Sequence, residues 1–193
     1  MLSSVPLWAG IQWTLGPGGG LALPLGGNIG SYQPSLGGSF DIRATGFQPV
    51  LGFALTGGYA RFKGPSNDNP LADSSKLVYQ YVPAALGLFT DFTPLMPGTP
   101  VRPYLRMGLG PCYWDLRYDG QLLPTLDTST SKQLDCVITG AIGAEYRLPR
   151  LPIALFAEFT ADYITSTHFE KYYYLDKDEY FALAAFGIRY TFR

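Results

Sequence analysis

The chain predicts an all-β fold: a transmembrane antiparallel barrel of eight strands in up-and-down order, formed by residues 1–193 as one domain. Three observations predict it. Apolar residues recur at every second position in segment after segment, the period of a strand with one apolar face. The segments are long, suiting a bilayer, where a tilted strand needs about 9–11 residues, better than a small core. Connections between them alternate short and long, as in a barrel with turns at one end and loops at the other.

The closing segment, Tyr180 to Arg193, shows the pattern most clearly. Ala182, Ala184, Phe186, Ile188, Tyr190 and Phe192 form one face, against Leu183, Ala185, Gly187, Arg189 and Thr191. At the other end, Leu7, Ala9, Ile11, Trp13 and Leu15 alternate with Trp8, Gly10, Gln12 and Thr14. The glycine run Gly16 to Gly20 then either interrupts this first strand or precedes a short extra one at Leu21 to Leu25. Because bacterial barrels carry even strand numbers, one interrupted strand followed by a loop is expected, with the long connection over roughly 16–35.

The second strand, Gly37 to Thr45, sets Gly38, Phe40, Ile42 and Ala44 against Ser39, Asp41, Arg43 and Thr45. After the turn Gly46 to Pro49, Leu51, Phe53, Leu55 and Tyr59 face out. A polar loop, Gly64 to Ser75, leads to a strand at about Lys76 to Phe92, with Val82, Ala84, Leu86 and Leu88 opposite Tyr81, Ala85, Gly87, Phe89 and Asp91. The turn Thr93 to Pro100 precedes a strand in which Leu105, Met107, Leu109 and Tyr113 oppose Tyr104, Arg106, Gly108 and Gly110. A loop, Asp119 to Ser131, is followed by a strand at about Leu134 to Leu148, the tight turn Pro149 to Pro152, and a strand from Ile153 to Tyr163. The last loop runs from Ser166 to Glu179.

Bulk composition agrees. Only 15% of the 193 residues are charged, below the typical quarter of a soluble domain, while glycine reaches 23 residues. A net charge of −1 gives no reason to expect a nucleic-acid partner. No run of about 18 apolar residues exists, so no transmembrane helix is predicted, and a membrane barrel would not show one. The face opposite the apolar one is rich in Gly, Ala, Ser and Thr, as the narrow interior of an eight-stranded barrel requires. A soluble ligand-binding barrel would invert that polarity.

Nine ionisable residues fall on the inward face: Asp41, Arg43, Asp91, Arg106, Glu145, Arg147, Glu158, Asp162 and Arg189. Five acids and four bases permit near-complete pairing, which a narrow lumen demands because an isolated buried charge costs several kcal/mol. A charge network that plugs the lumen is therefore expected, with Arg106 and Glu145 as one pair; the alternative is a narrow polar path.

On this pattern the chain resembles the small bacterial outer-membrane β-barrels of the OmpA, OmpX and OmpW kind. Its most specific part is the C-terminal segment, where Gly187, Tyr190 and Phe192 look like the signal by which the barrel assembly machinery recognises its clients. That pattern usually ends on the aromatic, whereas here Arg193 follows Phe192. The resemblance implies location in the bacterial outer membrane, contact with outer-membrane lipid, and insertion by the assembly machinery. MLSSVPLWAG has no positive region followed by an apolar one, so the expectation is that a signal peptide has already been removed. Members of the fold differ widely in function.

Other chemistry is sparse. Lipid A deacylases of this fold use a Ser and a His, but the His-x-Ser pattern is absent, and the lone His168, near Ser166, reads as an exposed loop residue. One histidine makes a zinc site improbable. No catalytic residues, metal or cofactor are expected. The glycine run lacks the residues that complete a phosphate cradle. Cys112 and Cys136 lie on adjacent strands; strict alternation faces them oppositely, and a bulge near Pro111 would bring them together, leaving a disulfide open. Trp8, Trp13, Tyr104, Tyr113, Trp114, Tyr146, Tyr163, Tyr180, Tyr190 and Phe192 cluster toward strand ends, as interfacial girdles do. The expected role is a structural or surface-interaction one, through the long loops and a surface ligand or partner protein, with a plugged or very narrow lumen. A pore or conduit for small or hydrophobic molecules is the alternative, and a lipid-modifying enzyme a distant third.

Overall fold

The computed structural model describes residues 10–46, 50–65, 76–96, 98–123, 132–165 and 178–192. Each period-two segment forms a strand: β1 (Gln12–Gly26), β2 (Ser35–Thr45), β3 (Leu51–Lys63), β4 (Leu77–Asp91), β5 (Val101–Tyr118), β6 (Gln121–Leu122), β7 (Lys132–Arg147), β8 (Ile153–Thr165) and β9 (Glu179–Phe192). All neighbours pair antiparallel in the order β4-β3-β2-β1-β9-β8-β7-β5, and β4 also pairs with β5. That last pairing closes the sheet, giving an eight-stranded up-and-down barrel in which β6 only folds back beside the end of β5. Among the described residues the only helical pieces are 3-10 turns such as Gly27–Ile29 and Thr93–Leu95.

The polarity is inside-out. Phe186, Met107, Leu109, Leu86 and Ile142 are each more than 60% exposed, in a band that continues around the barrel. In water such a belt would be an aggregation surface; in a bilayer it is the lipid-facing wall. The eight barrel strands span 11 to 18 residues, long enough to cross.

Two sequence expectations need correction. The glycine run is not part of a loop: β1 continues through Gly16 to Gly26, and the connection to β2 is correspondingly short. Glycines belong there because inward side chains of nearby strands fill their space. A Cβ on Gly16 would lie 2.6 Å from Asp41 Oδ1, and one on Gly18 2.7 Å from Phe156 Cζ. The second correction concerns Asp119 to Ser131, which opens on a tight hairpin. Asp119 (φ 50°) and Gly120 (φ 83°) both have positive φ, the two-residue Asp-Gly turn that matches strand twist. It returns β6 onto β5 through Tyr118↔Gln121 and Arg117↔Leu122.

Candidate functional site

The lumen is filled in two layers. The layer at the short-turn end is ionic and centres on Glu158. Its Oε2 accepts from Arg43 Nη2 (3.3 Å), Arg189 Nη2 (3.3 Å) and the Tyr104 hydroxyl (2.9 Å). Its Oε1 accepts from Arg106 Nη2 (2.8 Å) and Thr160 Oγ1 (3.1 Å). Asp41 takes Arg43 Nε at 2.5 Å and Arg189 Nε at 3.2 Å. Glu145 lies 3.5 Å from Arg189 and 3.8 Å from Arg43. Three arginines and three carboxylates thus form one neutral, buried network, the arrangement that lets ions stay in a narrow interior.

Aromatic rings complete this layer. The Arg43 guanidinium lies over Phe89 (4.3 Å) and Tyr104 (4.1 Å), and that of Arg189 over Phe156 (3.8 Å). Desolvated cations on ring faces gain more than exposed ones, so the rings both fill space and stabilise charge. Gly143 and Gly187 leave room for them, since a Cβ would meet the Tyr104 hydroxyl at 2.4 Å and Phe156 Cε1 at 2.5 Å respectively.

The layer at the long-loop end is aromatic. Phe181 stacks on Phe62 (5.2 Å), Tyr79 (5.7 Å) and Tyr81 (4.5 Å), and Tyr79 also stacks on Trp114 (5.6 Å). Val137, Ile164, Leu116 and Cys112 pack with them. Trp114 Nε1 donates to Asp135 Oδ2 at 2.7 Å, satisfying the indole inside the plug. Between the layers lies a cavity of about 50 Å³, bordered by Arg106, Glu158, Thr160, Asp162, Tyr81 and Phe181. Arg106 Nε is buried there with no hydrogen bond among the described residues.

Of the nine predicted lumenal ions, six meet in the network: Asp41, Arg43, Arg106, Glu145, Glu158 and Arg189. Arg147 touches its edge, 4.0 Å from Glu145 and partly exposed. Asp162 stands apart and accepts the Tyr81 hydroxyl at 2.5 Å. Asp91 serves the turn, accepting from Thr93 N at 2.8 Å and from Thr93 Oγ1. The expected Arg106–Glu145 pair does not form. Register sets Glu145 opposite Arg102, and Arg106 opposite Ala141, whose small side chain lets Arg106 reach across β7 to Glu158 on β8.

The disulfide left open by the sequence does not form either. The β5–β7 register runs through Pro111 without a bulge, pairing Pro111 with Cys136 and Cys112 with Asp135. Both thiols are free: Cys112 is buried in the lumen, and Cys136 is exposed on the outer wall. Tyr104 and Trp114 also leave the expected girdle for the lumen, while Trp13, Tyr113, Tyr146, Tyr180, Tyr190 and Phe192 face outward. Of the C-terminal signal residues, Tyr190 and Phe192 meet edge to face at 4.8 Å on the outer wall, and Gly187 faces in. Trp8, Ser166, His168 and Arg193 lie outside the described residues.

Comparison with solved structures agrees with the architecture. A major outer membrane protein from Thermus thermophilus superposes with a TM-score of 0.63 at 15% identity, over 94% of this chain and 99% of that one. The N-terminal β-barrel domain of OprF from Pseudomonas aeruginosa aligns at 16% identity and a TM-score of 0.49, over 94% and 97%. Ail, the attachment invasion locus protein of Yersinia pestis, aligns at 15% and 0.48, over 95% and 99%. The Thermus protein carries the comparison, and at this identity it speaks for fold alone. No protein-family model matches the chain, and no curated protein sequence does. The fold is that of small outer-membrane barrels.

Proposed function

We propose that the chain is an integral outer-membrane barrel with a closed lumen, acting through its surface at the long-loop end and not as an open pore. The observation that carries this is the double filling of the lumen. A neutral Arg–carboxylate network occupies one half and a stack of five aromatic rings the other. A solute would have to break buried ion pairs, each costing several kcal/mol, and then part a packed apolar stack. The continuous apolar belt supports lipid as its immediate partner, and the outward Tyr190 and Phe192 support insertion by the barrel assembly machinery.

Sugar-driven swelling of reconstituted vesicles tests the proposal, with insertion read separately as a heat-sensitive shift in gel migration. Inserted barrel with swelling no faster than in empty vesicles is the expected result. Swelling at porin-like rates overturns the closed lumen, and failure to insert overturns the membrane assignment.

A second use, passage of small apolar molecules, is favoured by one feature. The cavity between the layers abuts a stretch where β3 and β4 lose two ladder pairs, at Gly58 and Tyr59, beside Pro83, which has no N–H to give. Uptake of a fluorescent apolar probe into the same vesicles, abolished by filling the gap with Gly58→Val, would favour that use.

A further inference from the structure

The outward face carries almost no charge. Along β1, β2, β4, β8 and β9 the outward residues are uncharged, so a lipid headgroup meets no ion there. Among outward strand positions with described side chains, charge occurs in one place: Arg61 and Lys63 on β3, and Asp115 and Arg117 on β5, all at the long-loop end. Lys76 immediately precedes β4 between them and is exposed.

Register arranges these residues in rows. Arg61 pairs with Gln80, which pairs with Asp115. One step further from the membrane centre, Lys63 pairs with Val78, which pairs with Arg117. One step nearer the centre are Tyr59 and Tyr113, both partly exposed on the same face. Aromatic residues below cations is the order expected where hydrocarbon gives way to headgroups. Lys63 and Arg117 sit two strand spacings apart, roughly 9–10 Å, so their long side chains can converge on one group.

The charge balance favours an anion. Arg61, Lys63, Lys76 and Arg117 stand against Asp115 and, in the turn beyond β5, Asp119: four positive against two negative, a net of +2. Asp115 is already satisfied. It is 1% exposed, accepts from Arg117 Nε (2.9 Å) and Nη2 (3.1 Å), and takes the Tyr113 hydroxyl at 3.3 Å. That pair uses Nε and Nη2, holds the guanidinium in place and leaves Nη1 over as a fixed donor of the kind that suits phosphate.

We infer that the outward face of β3 to β5 at the long-loop end is a binding site for the phosphate group of an anionic membrane lipid. It rests on the membrane assignment proposed above. The lipid's chains lie along the apolar wall, its ring or glycerol region packs at Tyr59 and Tyr113, and its phosphate meets Arg61, Lys63, Lys76 and Arg117.

The test uses the whole chain, inserted in vesicles of equal phosphatidylglycerol and phosphatidylcholine with matched acyl chains. Insertion is checked by gel migration, and retained lipid is counted by native mass spectrometry after gentle release. Wild type should retain phosphatidylglycerol in preference. The triple substitution Arg61→Gln/Lys63→Gln/Lys76→Gln should lower that preference on the order of a hundredfold, since each cation near a membrane surface contributes about a factor of five. Arg150→Gln, an exposed cation in the opposite turn, should leave it unchanged. An inserted wild type with no preference overturns the inference alone, as does a triple variant that keeps it. A chain that does not insert overturns the membrane assignment with it, and the gel shows this before any lipid is counted.

Discussion

Replacing Glu158 by Gln should be among the most damaging single changes on the lumenal face. The side chain keeps its volume but loses its charge, leaving Arg43, Arg106 and Arg189 with only Asp41 and Glu145. The loss is unequal. Arg43 and Arg189 keep Asp41 at 2.5 and 3.2 Å, whereas Glu158, at 2.8 Å, is the one carboxylate in salt-bridge range of Arg106 among the described residues. The new amide also points an N–H group toward guanidinium donors. Removing one partner of a buried ion pair costs about 3–5 kcal/mol, most of it the uncompensated charge left behind. Glu158→Gln should therefore destabilise by about that much, and Arg106→Gln in the same chain should restore part of it, with a coupling of about 1–3 kcal/mol. Equilibrium urea unfolding from lipid vesicles, followed by tryptophan fluorescence on wild type, both single variants and the double, measures all four corners. A Glu158→Gln cost below about 1 kcal/mol, or additive single effects, would refute the hub.

Two further outcomes follow from glycines of the barrel wall. Gly187→Ala places a Cβ 2.2 Å from the Pro17 carbonyl and 2.5 Å from Phe156 Cε1, so the β1–β9 seam must shift; a loss of about 1–3 kcal/mol is expected. Gly140→Ala, with nothing within 4 Å of its Cβ, should stay within about 0.5 kcal/mol in the same unfolding assay. For the cysteines, intact mass should be identical with and without reductant. A maleimide in detergent should modify Cys136 in the folded barrel, and Cys112 only after unfolding.

Facing was legible in the sequence because alternation in a strand has only two phases. Phe186, Ile188 and Tyr190 point outward as their period requires, and Asp41, Arg43, Glu158 and Arg189 point inward. Partners were not legible, because they depend on register between strands. Arg106 and Glu145 read as neighbours because each lies a few residues from the short-turn end of adjacent strands, yet the pairing sets Glu145 opposite Arg102. The aromatic plug is less legible for a different reason: Phe62, Tyr79 and Phe181 all lie near strand ends, beyond the clearest stretch of alternation. Carrying the alternation two residues further into each loop would have put all three rings inside. The glycine run suggested a loop because glycine and proline dominate turns. Its place in β1 depends on nearby strands, where Asp41 on β2 and Phe156 on β8 occupy the space a side chain would take. Asp119-Gly120, by contrast, is a plain hairpin signal in the sequence.

Single-channel recording in planar bilayers tests the closed lumen most directly. Wild type should give no steady openings once insertion is established. A variant that cuts into both layers, Glu158→Ala/Arg106→Ala with Tyr81→Ala/Phe181→Ala, should conduct, whereas cutting into one layer alone should leave the barrel silent. Steady ohmic openings from the wild type, or openings when either layer is cut by itself, would contradict a lumen closed twice over.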